Sequence, residues 1–131
     1  MKRQNIASGS PLEPEIGFSR AVRIGSHVFV AGTAPIAAAG GVACPGDVYG
    51  QTRRCLEIAE QALRDAGAEL GDVARTRMML TDIRQWREAA RAHGEYFRNV
   101  RPACTFVEVS RFIDPGWLIE IEIDAIVVGR D

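Results

Sequence analysis

The chain has 131 residues, 47% hydrophobic and 25% charged, a composition that fits one globular domain over 1–131 and excludes a disordered or collagen-like chain. Its 16 basic and 17 acidic residues are interspersed and leave a formal charge of −1, so the electrostatic footprint of a nucleic-acid or anionic-membrane partner is missing. Three cysteines at 44, 55 and 104, with no C-x-x-C spacing, argue against a disulfide framework and a structural zinc site and point to a reducing cytoplasm.

In chain order, residues 1–17 are polar and contain Pro11 and Pro14, which fits neither a signal peptide nor a membrane span. Residues 20–24 (RAVRI) and 27–31 (HVFVA), joined by Gly25-Ser26, predict a hairpin. The Gly- and Ala-rich segment 34–45 predicts a loop with room for one further short edge strand. From Asp47 the period changes to three and four residues: Val48, Thr52, Cys55, Ala59, Ala62, Leu63 and Ala66 predict a helix, capped by Asp47 and ended by Gly67. Residues 74–80 read as a strand. A second helix follows Asp82, with the stripe Ile83, Trp86, Ala90, His93 and Phe97. Two strands, 104–110 and 118–128, close the chain around a Pro115-Gly116 turn.

Two helices can cover only one face of five or six strands, so the pattern predicts an α+β two-layer sandwich with a mixed sheet. The uncovered face must then be polar or buried against a partner. Along 118–128, Ile119, Ile121, Ile123, Ala125 and Val127 share one face, while Glu120, Glu122 and Asp124 share the other. On 104–110 the β-branched Thr105, Val107 and Val109 read as the core set. Cys104, Phe106 and Glu108 are therefore expected on the carboxylate side.

Several stretches, taken in order and spacing, resemble the RidA (YjgF) family of reactive-intermediate deaminases, also described as L-PSP endoribonucleases. They are Phe18-Ser-Arg-Ala-Val22, Val28-Phe-Val-Ala-Gly-Thr33, Gln51 opening a helix that ends Asp65-Ala-Gly67, Gly71-Asp-Val73, Pro102-Ala103 with Val107-Glu-Val109, and Glu120-Ile-Glu-Ile-Asp-Ala-Ile126. The resemblance implies a homotrimer of chorismate-mutase-like, barrel-centred architecture, with a small-molecule ligand in each subunit-interface cleft and no cofactor or metal. It also implies hydrolysis of enamines or imines to a keto acid and ammonia. In such proteins an arginine after the Pro-Ala pair binds the substrate carboxylate, a glutamate of the last strand handles water, and a tyrosine and a Ser-Gly pair line the cleft. The glutamate is matched by Glu122, with Glu120 as the adjacent alternative. The arginine position holds Cys104, the tyrosine position Phe18, and the serine position Ala31 before Gly32.

A thiol cannot replace a guanidinium that grips a carboxylate through two parallel N–H bonds. Cys104 therefore reads either as a nucleophile, which needs a cation or base beside it, or as an inert lining residue. Arg20 and Arg111 are the cations within reach of it from a neighbouring strand or subunit. Glu122, with Glu120 and Asp124 about 7 Å away along the strand, can be a general base if the cleft is dry. The site expected from sequence is thus Glu122 and Cys104 for chemistry, with Phe18, Ala31, Gly32, Cys104 and Phe106 against the ligand. A binding or regulatory trimer without catalysis is the alternative. RNA cleavage is disfavoured by the absence of a basic patch and of a histidine pair. His93, on an apolar stripe, reads as a core histidine, and Trp117 reads either as a residue at a subunit boundary or as an apolar anchor of the last strand.

Overall fold

A computed structural model describes residues 1–129. It has six strands and three α-helices: β1 (Arg3–Ile6), α1 (Leu12–Ile16), β2 (Ala21–Ile24), β3 (His27–Thr33), α2 (Val48–Asp65), β4 (Val73–Leu80), α3 (Trp86–Phe97), β5 (Ala103–Glu108) and β6 (Ile119–Ile126). The strands form one sheet in the order β1-β2-β3-β6-β4-β5. All pairs are antiparallel except β4–β5, which is parallel because α3 carries the chain back across the sheet. This is the α+β sandwich expected from sequence.

Strand β6, the last in the described chain, lies in the middle of the sheet beside β3, and its alternation is the reason. Ile119, Ile121, Ile123 and Ala125 are each at most 1% exposed, which only a strand flanked on both edges and covered by helices achieves. The covering layer is chiefly α2, whose Val48, Thr52, Cys55, Leu56, Ala59, Ala62 and Leu63 are all buried. The Asp47 side chain accepts from Gly50 N at 3.0 Å and so caps the helix. Gly67, at φ 80°, follows its end.

Four expectations are corrected. The polar lead contains β1, an edge strand whose one buried residue is Ile6, and the single-turn α1. Backbone pairing with β2, not side-chain burial, makes β1 a strand, so its sequence carries no alternation. The edge strand allowed within 34–45 is reduced to one bridge between Ile36 and Val42. The second helix starts as a 3-10 turn, Ile83–Gln85, and α3 buries Ala89, Ala92 and Phe97, one position away from the Trp86, Ala90, His93 stripe. Small alanines face inward because α3 packs closely against α2, and the bulky Trp86 is left 39% exposed at the rim.

The fourth correction concerns β5. Its parallel register places Cys104 beside Thr76 and Phe106 beside Met78, while Thr105 and Val107 stand beside Arg77 and Met79. Thr76 and Met78 are fully buried residues of the helix-side face. Cys104 and Phe106 therefore lie on the helix side, opposite to the carboxylates of β6. The ring of Phe106 offers more apolar area than Val107, and it reaches Trp86 and His93 with ring centroids 6.2 and 6.4 Å away.

Candidate functional site

The β3–β6 ladder slips between Val30 and Thr33, so Ala31-Gly32 forms a bulge facing the end of β6. Bulges of this kind bend a strand and re-aim its groups. Here the Gly32 carbonyl accepts a hydrogen bond from Arg20 Nη2 at 2.8 Å. A Cβ on Gly32 would lie 3.1 Å from Glu120 Oε1, so the glycine lets the carboxylate approach the backbone closely. The Arg20 guanidinium also lies 5.7 Å from the centre of the Phe18 ring.

These groups line a groove of about 950 Å³, with Phe18, Arg20, Gly32 and Glu120 at one end and Trp117 and Ile113 beside them. Trp117 is held in place through Gln51. That buried side chain accepts from Leu118 N at 2.8 Å and donates to the Gly116 carbonyl at 3.0 Å, fastening the turn to the first rungs of α2. Asp114 completes the turn by accepting from Gly116 N.

Burial pushes the Glu120 carboxyl above the ordinary glutamate range; nearby Arg20 opposes the shift and Glu122 reinforces it. Glu122 itself lies one alternation further along, on the helix-free face. Arg77 Nη1 approaches it at 3.8 Å and Asp124 at 3.1 Å, and Arg75 stands 3.9 Å from Asp124. The second and third acids of the row are thus tied into an ion-pair ladder, whereas Glu120 faces the groove.

Cys104 is exposed and forms no hydrogen bond among the described residues. The histidine on its side of the sheet is engaged: His93 Nε2 lies 2.8 Å from Thr76 Oγ1, and burial lowers the imidazole pKa. Cys55 is the opposite case, a fully buried core thiol whose pKa burial pushes up, far from reactivity. Of the residues singled out from sequence, Phe18 and Gly32 meet in the groove and Ala31 sits in the bulge behind it. Glu122, Cys104 and Phe106 are not brought there within one chain. The motif match favours Glu122 and leaves Glu120 as the alternative, and strand alternation gives both glutamates the same face. Only the bulge position separates them.

The sequence model of the endoribonuclease L-PSP family matches residues 9–127. A solved structure of a Mycobacterium tuberculosis protein of the YjgF family superposes with a TM-score of 0.88 at 46% identity, covering 96% of this chain and 100% of that one. The chain belongs to the RidA/YjgF family. Two curated relatives extend the likeness within it. An uncharacterized protein of Streptomyces coelicolor is 39% identical over 123 residues, covering 93% of this chain and 90% of its own. The 3-aminoacrylate deaminase RutC of Acinetobacter baylyi is 34% identical over 111 residues, 85% of each chain. The RidA/YjgF family thus includes a protein described as a 3-aminoacrylate deaminase.

Proposed function

We propose that this RidA/YjgF protein hydrolyses a small enamine or imine to the carbonyl compound and ammonia, in a cleft completed at the interfaces of a homotrimer. The observation that carries the reading is Glu120: a half-buried carboxylate with a raised pKa, set against the Gly32 backbone in a groove walled by Phe18 and Trp117. Burial makes such a carboxylate more basic than an exposed one, which favours general base work. Protonation of the enamine on carbon gives the iminium ion. Glu120 then removes a proton from water as the new C–O bond forms and the C=N π pair moves to nitrogen, giving a neutral carbinolamine. Glu120 returns that proton to the nitrogen, which leaves with the C–N pair as ammonia, while the hydroxyl proton passes to solvent as the carbonyl forms and balances the proton taken up on carbon. Glu122, the glutamate matched by the family pattern, acts at one remove: its charge adds to the rise that burial gives the Glu120 pKa.

Two observations weigh against nuclease chemistry. Arg75 and Arg77 of the helix-free face are already engaged by Asp124 and Glu122, and neither histidine stands beside a second one. Cys104 enters as a lining residue contributed from a neighbouring subunit, with no activated thiol required.

Ammonia release from 2-aminoacrylate generated in situ tests the reading. Glu120→Gln is expected to lower kcat by about a hundredfold or more, the usual contribution of a positioned general base. Glu122→Gln is expected to lose less and to shift the acid limb of the pH profile downward. That limb should lie above the ~4.3 of an ordinary glutamate. Absence of ammonia release by the wild-type protein would sink the hydrolase and leave a small-molecule-binding trimer.

A further inference from the structure

The family's carboxylate-binding arginine is replaced by Cys104, yet the groove is not without a cation. Arg20 is half-buried and is the basic residue facing Glu120. Its one side-chain hydrogen bond among the described residues is that from Nη2 to the Gly32 carbonyl, and its Nε is buried without any partner. A buried guanidinium N–H with no acceptor is costly and unusual, and it calls for a partner the protein itself does not supply. Glu13 and Glu120 are close enough to favour the charge, but neither forms an ion pair with it. Arg20 is thus held in a fixed place by Gly32 and Phe18 while its charge remains uncommitted.

We infer that Arg20 is the carboxylate anchor of this groove, taking over from the bend before β2 the task for which position 104 no longer has the chemistry. Arg20 and Glu120 then form a pair of opposite charges around one small site. That pair selects a molecule with a carboxylate at one end and a basic or protonatable nitrogen at the other, the layout of a 2-imino acid or its 2-amino-2-enoate tautomer. Arginine suits the role because its planar fork keeps donors free after Nη2 is used, and because it stays charged even where burial lowers its pKa. The inference rests on the hydrolase reading for what happens to the bound molecule, but not for the binding itself.

The two are separated by probes that cannot react. Pyruvate, a small 2-oxo acid, and pyruvamide, its uncharged amide, are titrated into the wild-type protein and followed by amide and indole NMR shifts. Pyruvate is expected to move the Gly32 amide and the Trp117 indole and to bind at least about tenfold more tightly than pyruvamide, as a charge-assisted pair requires. Arg20→Gln should abolish that preference, and Arg20→Lys should restore only part of it. With 2-aminoacrylate, Arg20→Gln should raise KM more than it lowers kcat. Equal binding of the two probes by the wild-type protein, or shifts centred on Cys104 instead of Gly32 and Trp117, would overturn the inference even if Arg20→Gln fails to fold. Arg20-dependent pyruvate binding without ammonia release would keep the anchor and remove the hydrolase. Ammonia release with no preference for pyruvate over pyruvamide would do the reverse.

Discussion

At the scale of single residues, environment sorts groups of the same type into different duties. Glu120 and Glu122 are two residues apart on one strand, yet one is half-buried in a groove and the other is paired with Arg77. Because the folded-state pKa of Glu120 is raised, folding takes up a proton between the ordinary and the raised value. Its contribution to stability is therefore fully present at acid pH and is lost as pH rises through the raised pKa. Glu120→Gln is accordingly expected to raise Tm at neutral pH relative to wild type, with the difference shrinking on acidification; thermal melts at pH 4 and pH 7.5 check this. His93 shows the opposite sign. Its pKa is lowered by burial, so its contribution is present above the ~6.5 of a free imidazole and is lost as pH falls through the lower folded-state value. An NMR titration of the ring protons should give a midpoint below that ordinary value. Thr76→Val, which removes the 2.8 Å hydrogen bond, should leave the ring less well ordered.

At the scale of elements, what each strand and helix contributes follows from where its apolar side chains go. Ile121, on the central strand and fully buried, should cost about 3 kcal/mol on replacement by alanine, since the cavity cannot collapse between α2 and the sheet. Asp47→Ala, which removes only the cap of α2, should cost about 1 kcal/mol. Urea unfolding of the two variants gives the ranking, and a larger loss from the cap than from the core would contradict this account of the fold. Strand β5 carries a different lesson. Its residues alternate clearly in sequence, but β-branching was a misleading guide to which set is inside. Phe106 is inward because the rim formed by Trp86 and His93 offers an aromatic niche, and that rim is assembled by α3. No local pattern within 104–110 encodes it.

At the scale of the whole molecule, the helix-free face mixes an ion-pair ladder with exposed apolar groups. Phe29 is 46% exposed and Val107 43%, and both lie on this face with Arg77, Glu122 and Asp124. Such a surface suits burial against copies of the same chain. A native mass of three chains is expected by sedimentation at micromolar concentration, and Val107→Arg should shift it toward one chain; a wild-type monomer would remove the trimer and with it the interfacial cleft. How much of this was legible beforehand differs by level. The amino-acid sequence by itself determined the α+β class, the limits of α2, the inward row of β6 and the family, because those depend on side-chain period and on short motifs that each segment carries within itself. The tertiary structure alone decided that β6 lies centrally, that β5 turns Cys104 away from the carboxylates, and that Arg20 and Glu120, a hundred positions apart, meet at the Gly32 bulge. Those outcomes depend on strand order, register and one slipped ladder, quantities set by packing among distant segments and therefore written in no single stretch of the chain.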